Sequence, residues 1–305
     1  MKLLLILPGA IGDFILTSPA AVWLRQKLRP RYVEIWVERA SLPLATSCSQ
    51  ADRALVLADT GVERWPTPEI VISRLKQFDR VISWYGTGYP EWTEQIRHQV
   101  HQIDFLPSFQ HCTEIHAMDF RRRQVESLLG ADESFPAFPQ IEISEEALAF
   151  SREYLATELC CNRPIIVIHP GASGVRKRWA ANCFTRLITS LIEATNQVLV
   201  CEGPLDLEVV NEVMAQACVS ESKTQPRRIR IDDLMELAAV IRHSQLYVGN
   251  DSGIGHLAAA SGIPTLSIFT ATDPAIWSPR GPRARFLRSP KVDDVLGETR
   301  CMGLA

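Results

Sequence analysis

Four short segments of this 305-residue chain combine glycine with charged or hydroxylated residues in patterns suited to anion binding and proton transfer. The first, Gly9-Ala10-Ile11-Gly12-Asp13, brings backbone N–H groups and one carboxylate to the start of a helix. Asp13 there either brings its carboxylate to a ligand cleft or is a plain N-cap, and the local sequence leaves both readings open. It is not G-x-G-x-x-G, so it gives little support to a dinucleotide cofactor. The second segment runs from His169-Pro170-Gly171-Ala172-Ser173-Gly174 to Val175-Arg176-Lys177-Arg178-Trp179. Its glycines and three cations follow an apolar run, the place where an open α/β sheet receives phosphate; the alternative is a solvated basic turn. In the third, Glu202-Gly203-Pro204, a lone carboxylate can accept hydrogen bonds from a ribose diol or simply mark a helix entry. The fourth, Gly249-Asn250-Asp251-Ser252-Gly253-Ile254-Gly255-His256-Leu257, is the most specific. It delivers small and polar residues to a glycine-opened helix N-terminus, whose unpaired N–H groups and positive dipole end favour a diphosphate.

Other polar residues carry weaker signals. His98 with His101, or His111 with His116, form pairs without the H-E-x-x-H spacing or carboxylate context of a zinc site, and they read as surface residues. Arg121-Arg122-Arg123 reads as a solvated helix face, with contact to an anionic acceptor as the alternative.

Parallel strands and their crossover helices must position these loops. Leu3 to Leu7 is a continuous apolar run of the kind buried on both faces of a parallel sheet. Ser18-Pro19 looks like a helix cap and first-turn proline. Val33 to Val37, Ala54 to Leu57 and Arg80 to Trp84 continue as strands, with a helical pattern over Ile70 to Phe78. Phe135-Pro136-Ala137-Phe138-Pro139 cannot extend a helix and is the expected linker. Beyond it Ser144 opens a helix, and the β-α alternation restarts: strand 165–168, helix 182–195, strand 197–201, helices 205–218 and 233–242, strand 245–249, helix 253–260 and strand 265–269. The expectation is α/β, two Rossmann-like domains over 1–145 and 146–305 with a ligand cleft between them, the last residues packing back on the first domain.

Composition narrows the partners. With 46% hydrophobic and 22% charged residues the chain is globular rather than disordered. A formal net charge of -3 gives no general attraction for nucleic acid, so anion sites must be local. Eight cysteines at 48, 112, 160, 161, 183, 201, 218 and 301 form no C-x-x-C pair and read as free thiols of a reducing compartment. Pro8-Gly9 ends the first apolar run too early for an export signal, and no run is long enough to span a membrane.

With these blocks in hand, the sequence resembles glycosyltransferase family 9, the heptosyltransferases of lipopolysaccharide core assembly. The resemblance lies in blocks 3–24, 165–209 and 232–277, and is most specific from Leu237-Ala238-Ala239 through Gly249-Asn250-Asp251-Ser252-Gly253 to His256-Leu257-Ala258 and Thr272-Asp273-Pro274. It implies a GT-B fold and an inverting, metal-independent transfer, without cofactor, from an ADP-sugar, heptose in this family. The acceptor it implies is a saccharide or lipopolysaccharide-type glycolipid, met in the cytoplasm or peripherally at the inner face of the inner membrane. Carried over residue by residue, Asp13 matches the general base, Lys177 the phosphate-contacting lysine, Glu202 the ribose-contacting acid and Asp251-Ser252-Gly253 the donor-binding turn. Gly12, Ser173 and His256 complete the implied donor set. A sugar-nucleotide epimerase or hydrolase on the same scaffold, or a non-catalytic nucleotide-sugar-binding protein, remains an alternative.

Overall fold

The computed structural model describes residues 1–64, 67–108, 115–131, 133–159, 163–194, 196–217 and 225–303. His111, Cys112, Cys160, Cys161, Thr195 and Cys218 lie outside them. The chain divides into two compact units, Met1–Ile141 and Glu142–Ala305.

The first unit runs β1 (Lys2–Leu7), α1 (Ile11–Leu28), β2 (Tyr32–Val37), α2 (Leu42–Ser49), β3 (Arg53–Val56), α3 (Leu57–Thr60), α4 (Glu69–Leu75), β4 (Arg80–Ser83), α5 (Pro90–Gln99), β5 (Ile103–Phe105) and α6 (Ala117–Leu129). All pairings are parallel, in the order β3-β2-β1-β4-β5. β1 sits in the middle and Leu3 to Leu7 are buried, which is why that strand is apolar throughout instead of alternating. The expected cap at Ser18 is not a cap. α1 begins at Ile11 and passes straight through Pro19. Proline lacks an N–H and so leaves the Ile15 carbonyl without its helical donor. Ser18 Oγ donates to that carbonyl at 2.9 Å and replaces the missing bond. Phe135, expected in a linker, packs on Trp23 with ring centroids 6.2 Å apart and belongs to the first unit.

The second unit runs α7 (Glu145–Glu158), β6 (Ile165–His169), α8 (Ala181–Glu193), β7 (Gln197–Cys201), α9 (Leu207–Gln216), β8 (Arg227–Ile229), α10 (Leu234–Arg242), β9 (Leu246–Asn250), α11 (Gly253–Ala260), β10 (Thr265–Phe269), α12 (Pro274–Trp277), β11 (Ala284–Arg288) and α13 (Val292–Cys301). Its sheet is also parallel, ordered β11-β10-β9-β6-β7-β8. Ser144 caps α7, its Oγ accepting the Ala147 N–H at 3.2 Å. The expected face of α8, Phe184, Leu187, Ile188, Leu191 and Ile192, joins one core with β6, β7 and α9. α13 adds Val292 and Val295 to that core. Cys48 and Cys201 are buried free thiols, and burial pushes each up to about 12.

Each sheet reverses its direction of growth once, between β1 and β4 and between β6 and β9. Crossovers leave opposite faces there, and the loops after the two strands part to leave a crevice at the strands' carboxyl ends. Gly86, just after β4, shapes the first crevice. Its φ of +106° lies in the left-handed region, and a Cβ there would stand 2.1 Å from the Trp92 ring. Gly86→Ala is expected to destabilise the fold by about 3 kcal/mol or more, read as a lowered urea midpoint.

Candidate active site

In the first unit the loop after β1 and the loop after β4 enclose a cavity of about 630 Å³. Gly9, Asp13, Tyr85, Gly86, Tyr89 and Arg121 are among its lining residues. Gly9 takes φ +109°, and a Cβ on it would come within 2.9 Å of the Asp13 Cβ, so the loop needs glycine to bring its backbone against the acid. Asp13 stands in the first turn of α1, where the helix dipole favours a negative charge. Its Oδ2 accepts the Ala10 N–H at 3.1 Å. Asp13 is thus not the N-cap, which is Ala10; it is the third helical residue, reaching back to the cap's N–H, and its carboxylate also borders the cavity.

Arg121 corrects the expectation of a solvated arginine face. It is buried on α6, together with Ala117, Met118, Gln124 and Val125. Its guanidinium donates to Thr17 Oγ1 at 3.2 Å, to the Pro107 carbonyl at 2.8 Å and to the Ser108 carbonyl. Burial pushes it down to about 10 against the opposing charge of Asp13. Arg122 pairs with Glu126 at 2.7 Å, and only Arg123 of the run is fully exposed. Beside the same loop the Glu38 carboxyl is raised above its ordinary value by burial and by Glu63, while the Gly9 N–H opposes the shift.

In the second unit the crevice lies between the loops after β6 and β9. Asn250, fully buried at the end of β9, ties them together. Its Oδ1 accepts the Trp179 N–H at 2.9 Å, and its Nδ2 donates to the Pro170 carbonyl at 2.7 Å. This holds the segment whose 3₁₀ turn, Val175–Lys177, carries the cations. Lys177 Nζ stands 2.8 Å from Asp251 Oδ2, and the same oxygen accepts the Thr272 hydroxyl at 2.6 Å. Ser252 is the N-cap residue of α11, Gly253 its first residue, and His256 is buried in its first turn. His169, ending β6, reaches Ser252 Oγ at 3.1 Å and Asp206 Oδ2 at 3.0 Å.

Residues 116–295 match glycosyltransferase family 9 (heptosyltransferase), more than half of the chain. The chain belongs to this glycosyltransferase family. Lipopolysaccharide heptosyltransferase 3 of Escherichia coli K12 is 26% identical to it over 288 residues, covering 88% of this chain and 82% of that one. A family 9 glycosyltransferase structure from Veillonella parvula superposes with a TM-score of 0.81 at 19% identity, covering 99% and 96% of the two chains. The structure of E. coli ADP-heptose lipopolysaccharide heptosyltransferase II gives 0.78 at 19% identity, covering 99% and 98%. At such identities the likeness speaks to the fold, and the GT-B expectation holds at that level.

Within this glycosyltransferase the structure groups the expected residues unequally. Lys177, Asp251, Ser252, Gly253 and His256 gather about the β6/β9 crevice of the second unit. Ser173 is exposed in the loop leading to Lys177. Gly12, expected in the same donor set, lies in the first turn of α1 beside Asp13. Glu202 is not a lone carboxylate: Arg228 and Arg230 approach it at 3.2 and 3.5 Å. His116 is not a surface residue but the buried cap of α6, its Nδ1 accepting the Met118 N–H at 3.2 Å. His98 and His101 are exposed as expected. His169 and Asn250 fell within the expected segments without a role of their own, Asp206 was not named, and Arg121 was read with its run as solvated although it stands on the apolar stripe of its helix, a signal the sequence did contain. A larger cavity of about 950 Å³ lies elsewhere in the first unit, lined by Lys2, Arg31 and Arg53 near the starts of β1, β2 and β3 and by α4. The smaller cavity is the one at the strands' carboxyl ends, where open α/β sheets receive ligands. Among the described residues no three His, Cys, Asp or Glu side chains gather as a metal site, and no helix is long and apolar enough to cross a membrane.

Two measurements check this geometry. Asn250→Ala leaves the buried Trp179 N–H and Pro170 carbonyl without partners and is expected to cost about 2 to 4 kcal/mol in urea unfolding, with faster proteolysis of the 170–178 loop. Burial alone would raise the Asp206 carboxyl, but the His169 hydrogen bond and charge, the Gly203 N–H and Arg178 hold it below its ordinary value. A folded-state value below the unfolded one means that Asp206 stabilises the fold above roughly pH 4, and that this contribution is lost as the pH falls through the folded-state value. Asp206→Asn should therefore flatten the acid limb of stability against pH, measured as urea midpoints between about pH 3 and 7.

Proposed function

We propose that this glycosyltransferase moves a sugar, heptose, from an ADP-sugar to a hydroxyl of a saccharide or lipopolysaccharide-type glycolipid, with inversion and without a metal ion. It would work in the cytoplasm, peripherally at the membrane face that presents a glycolipid acceptor. The observation that carries this reading is the Asp13 carboxylate, fixed by Ala10 and bordering a cavity at the β1/β4 crevice. A carboxylate so held can take the proton of an acceptor hydroxyl as its oxygen bonds to the anomeric carbon, a role worth about 10²- to 10⁴-fold. The bond from that carbon to the diphosphate breaks in the same displacement, and the electron pair leaves with ADP. One displacement inverts the centre, so no enzyme-bound glycosyl intermediate is required.

The second unit supports the donor half of the reading. Lys177 lies beside the α11 N-terminus, whose N–H groups receive no side-chain cap, and together they supply positive charge for a departing diphosphate. Asp251 holds the Lys177 ammonium in place and need not touch the donor itself. Glu202, flanked by Arg228 and Arg230, offers its carboxylate to the ribose diol.

Purified protein with ADP-heptose tests the proposal. Turnover should need an acceptor, survive EDTA and give the inverted linkage; acceptor-independent consumption would instead indicate an epimerase or hydrolase. Among nucleoside diphosphates ADP should give a larger thermal shift than UDP or GDP. Asp13→Ala should lower kcat at least about a hundredfold with ADP affinity nearly unchanged, whereas Lys177→Ala should weaken ADP binding.

A further inference from the structure

Ser252 occupies the N-cap position of α11 with extended backbone, yet its side chain makes no hydrogen bond to the helix it precedes. Its hydroxyl faces the other way, 3.1 Å from His169 Nδ1, and His169 Nε2 stands 3.0 Å from Asp206 Oδ2. His169 is 3% and Asp206 6% exposed. Enclosing that carboxylate required small neighbours: a Cβ at Gly171 would lie 2.1 Å from Asp206 Cγ, and one at Gly203 would lie 2.8 Å from its Oδ2. Burying a carboxylate is costly unless it is paired, and here the paired group leads on to a hydroxyl at a helix N-terminus.

The hydrogen-bond inventory limits where protons can be. Asp206 Oδ2 accepts the Gly203 N–H at 3.0 Å as well as His169, so the ring donates through Nε2–H. Of the two ring nitrogens only Nδ1 keeps a choice. On a neutral ring Nδ1 accepts the Ser252 proton, and the hydroxyl shows a ligand lone pairs only. On a protonated ring Nδ1 donates to Oγ, and the Ser252 proton turns outward to an anion. The neighbouring groups leave Asp206 as the deciding charge. Cys201 and Tyr247 are buried and held neutral by that burial, the Tyr247 hydroxyl meeting Ser252 as an uncharged partner, Asp251 is paired with Lys177, and Arg178 donates to the Ala172 and Leu205 carbonyls.

We propose that His169 and Asp206 are positioning residues that turn the Ser252 hydroxyl into a hydrogen-bond donor for the diphosphate of a nucleoside diphosphate, His169 taking up a solvent proton as the anion arrives. This rests on the reading that the α11 N-terminus receives the donor's diphosphate. Asp206 would act only through His169, and His169 only through Ser252.

That dependence is measurable as a double-mutant cycle on ADP affinity, by calorimetry on the full chain. Ser252→Ala, His169→Gln and Asp206→Asn should each weaken ADP about tenfold. In the Ser252→Ala background neither of the other two should change affinity by more than about twofold. Titrations in two buffers of different ionisation enthalpy should show proton uptake in the wild-type chain that His169→Gln abolishes. A merely structural pair would weaken ADP equally in both backgrounds and leave proton uptake unchanged, which would overturn the relay while sparing the donor site. If Ser252→Ala and Lys177→Ala both leave ADP affinity unaltered, the donor-site reading falls and the relay with it. Thermal unfolding of every variant identifies any that fails to fold. The His169→Gln arm decides the outcome if Asp206→Asn is such a case.

Discussion

β1 is hydrogen-bonded on both sides, to β2 and β4, and β6 likewise to β7 and β9. A parallel strand paired on both edges and buried on both faces has no freedom to slip, because a one-residue shift would break two ladders together. The chain must leave each sheet's reversal point on opposite faces, so the backbone there cannot close over its own strand ends. Asp13 in one unit and Ser252 in the other occupy the openings that result. The remaining features of the two sites, left-handed Gly9 and Gly86, the Asn250 tie and the Lys177–Asp251 pair, adjust geometry at places this pairing has already created.

Legibility in the sequence followed the range of the interaction. β1, the apolar face of α8 and the start of α11 were readable because adjacent residues determine them: an unbroken apolar run, a helical stripe, a glycine after a polar strand end. The Ser18-Pro19 reading failed because a local rule for helix starts was met by a local repair, the Ser18 hydroxyl standing in for the proline's missing N–H. Arg121 escaped because its neighbours Arg122 and Arg123 suggested solvent, whereas its partners are carbonyls of a separate loop. Asp206 lies in the segment read only as the start of helix 205–218. Its importance comes from His169 and Gly171, on another strand end, which no local pattern connects to it.

The charges of the site are largely compensated before any substrate arrives. Lys177 faces Asp251, and Glu202 faces two arginines. An incoming diphosphate would therefore enter an environment of existing ion pairs and compete with carboxylates for their cations. Such a site can be selective without being strongly electropositive, in keeping with the net charge of -3.

The central ladders also bear on how the molecule is made. β1 pairs Leu3 with Arg80, and β6 pairs Ile166 with Leu246, so each sheet's inner seam joins segments with whole β-α units between them. Such closures carry a larger chain-entropy cost than neighbouring pairings and dominate the folding time of parallel sheets. The crevices exist only once those seams have zipped. During synthesis Asp13 leaves the ribosome long before the strand that completes its surroundings, and the crevice of each unit is among the last parts to become real.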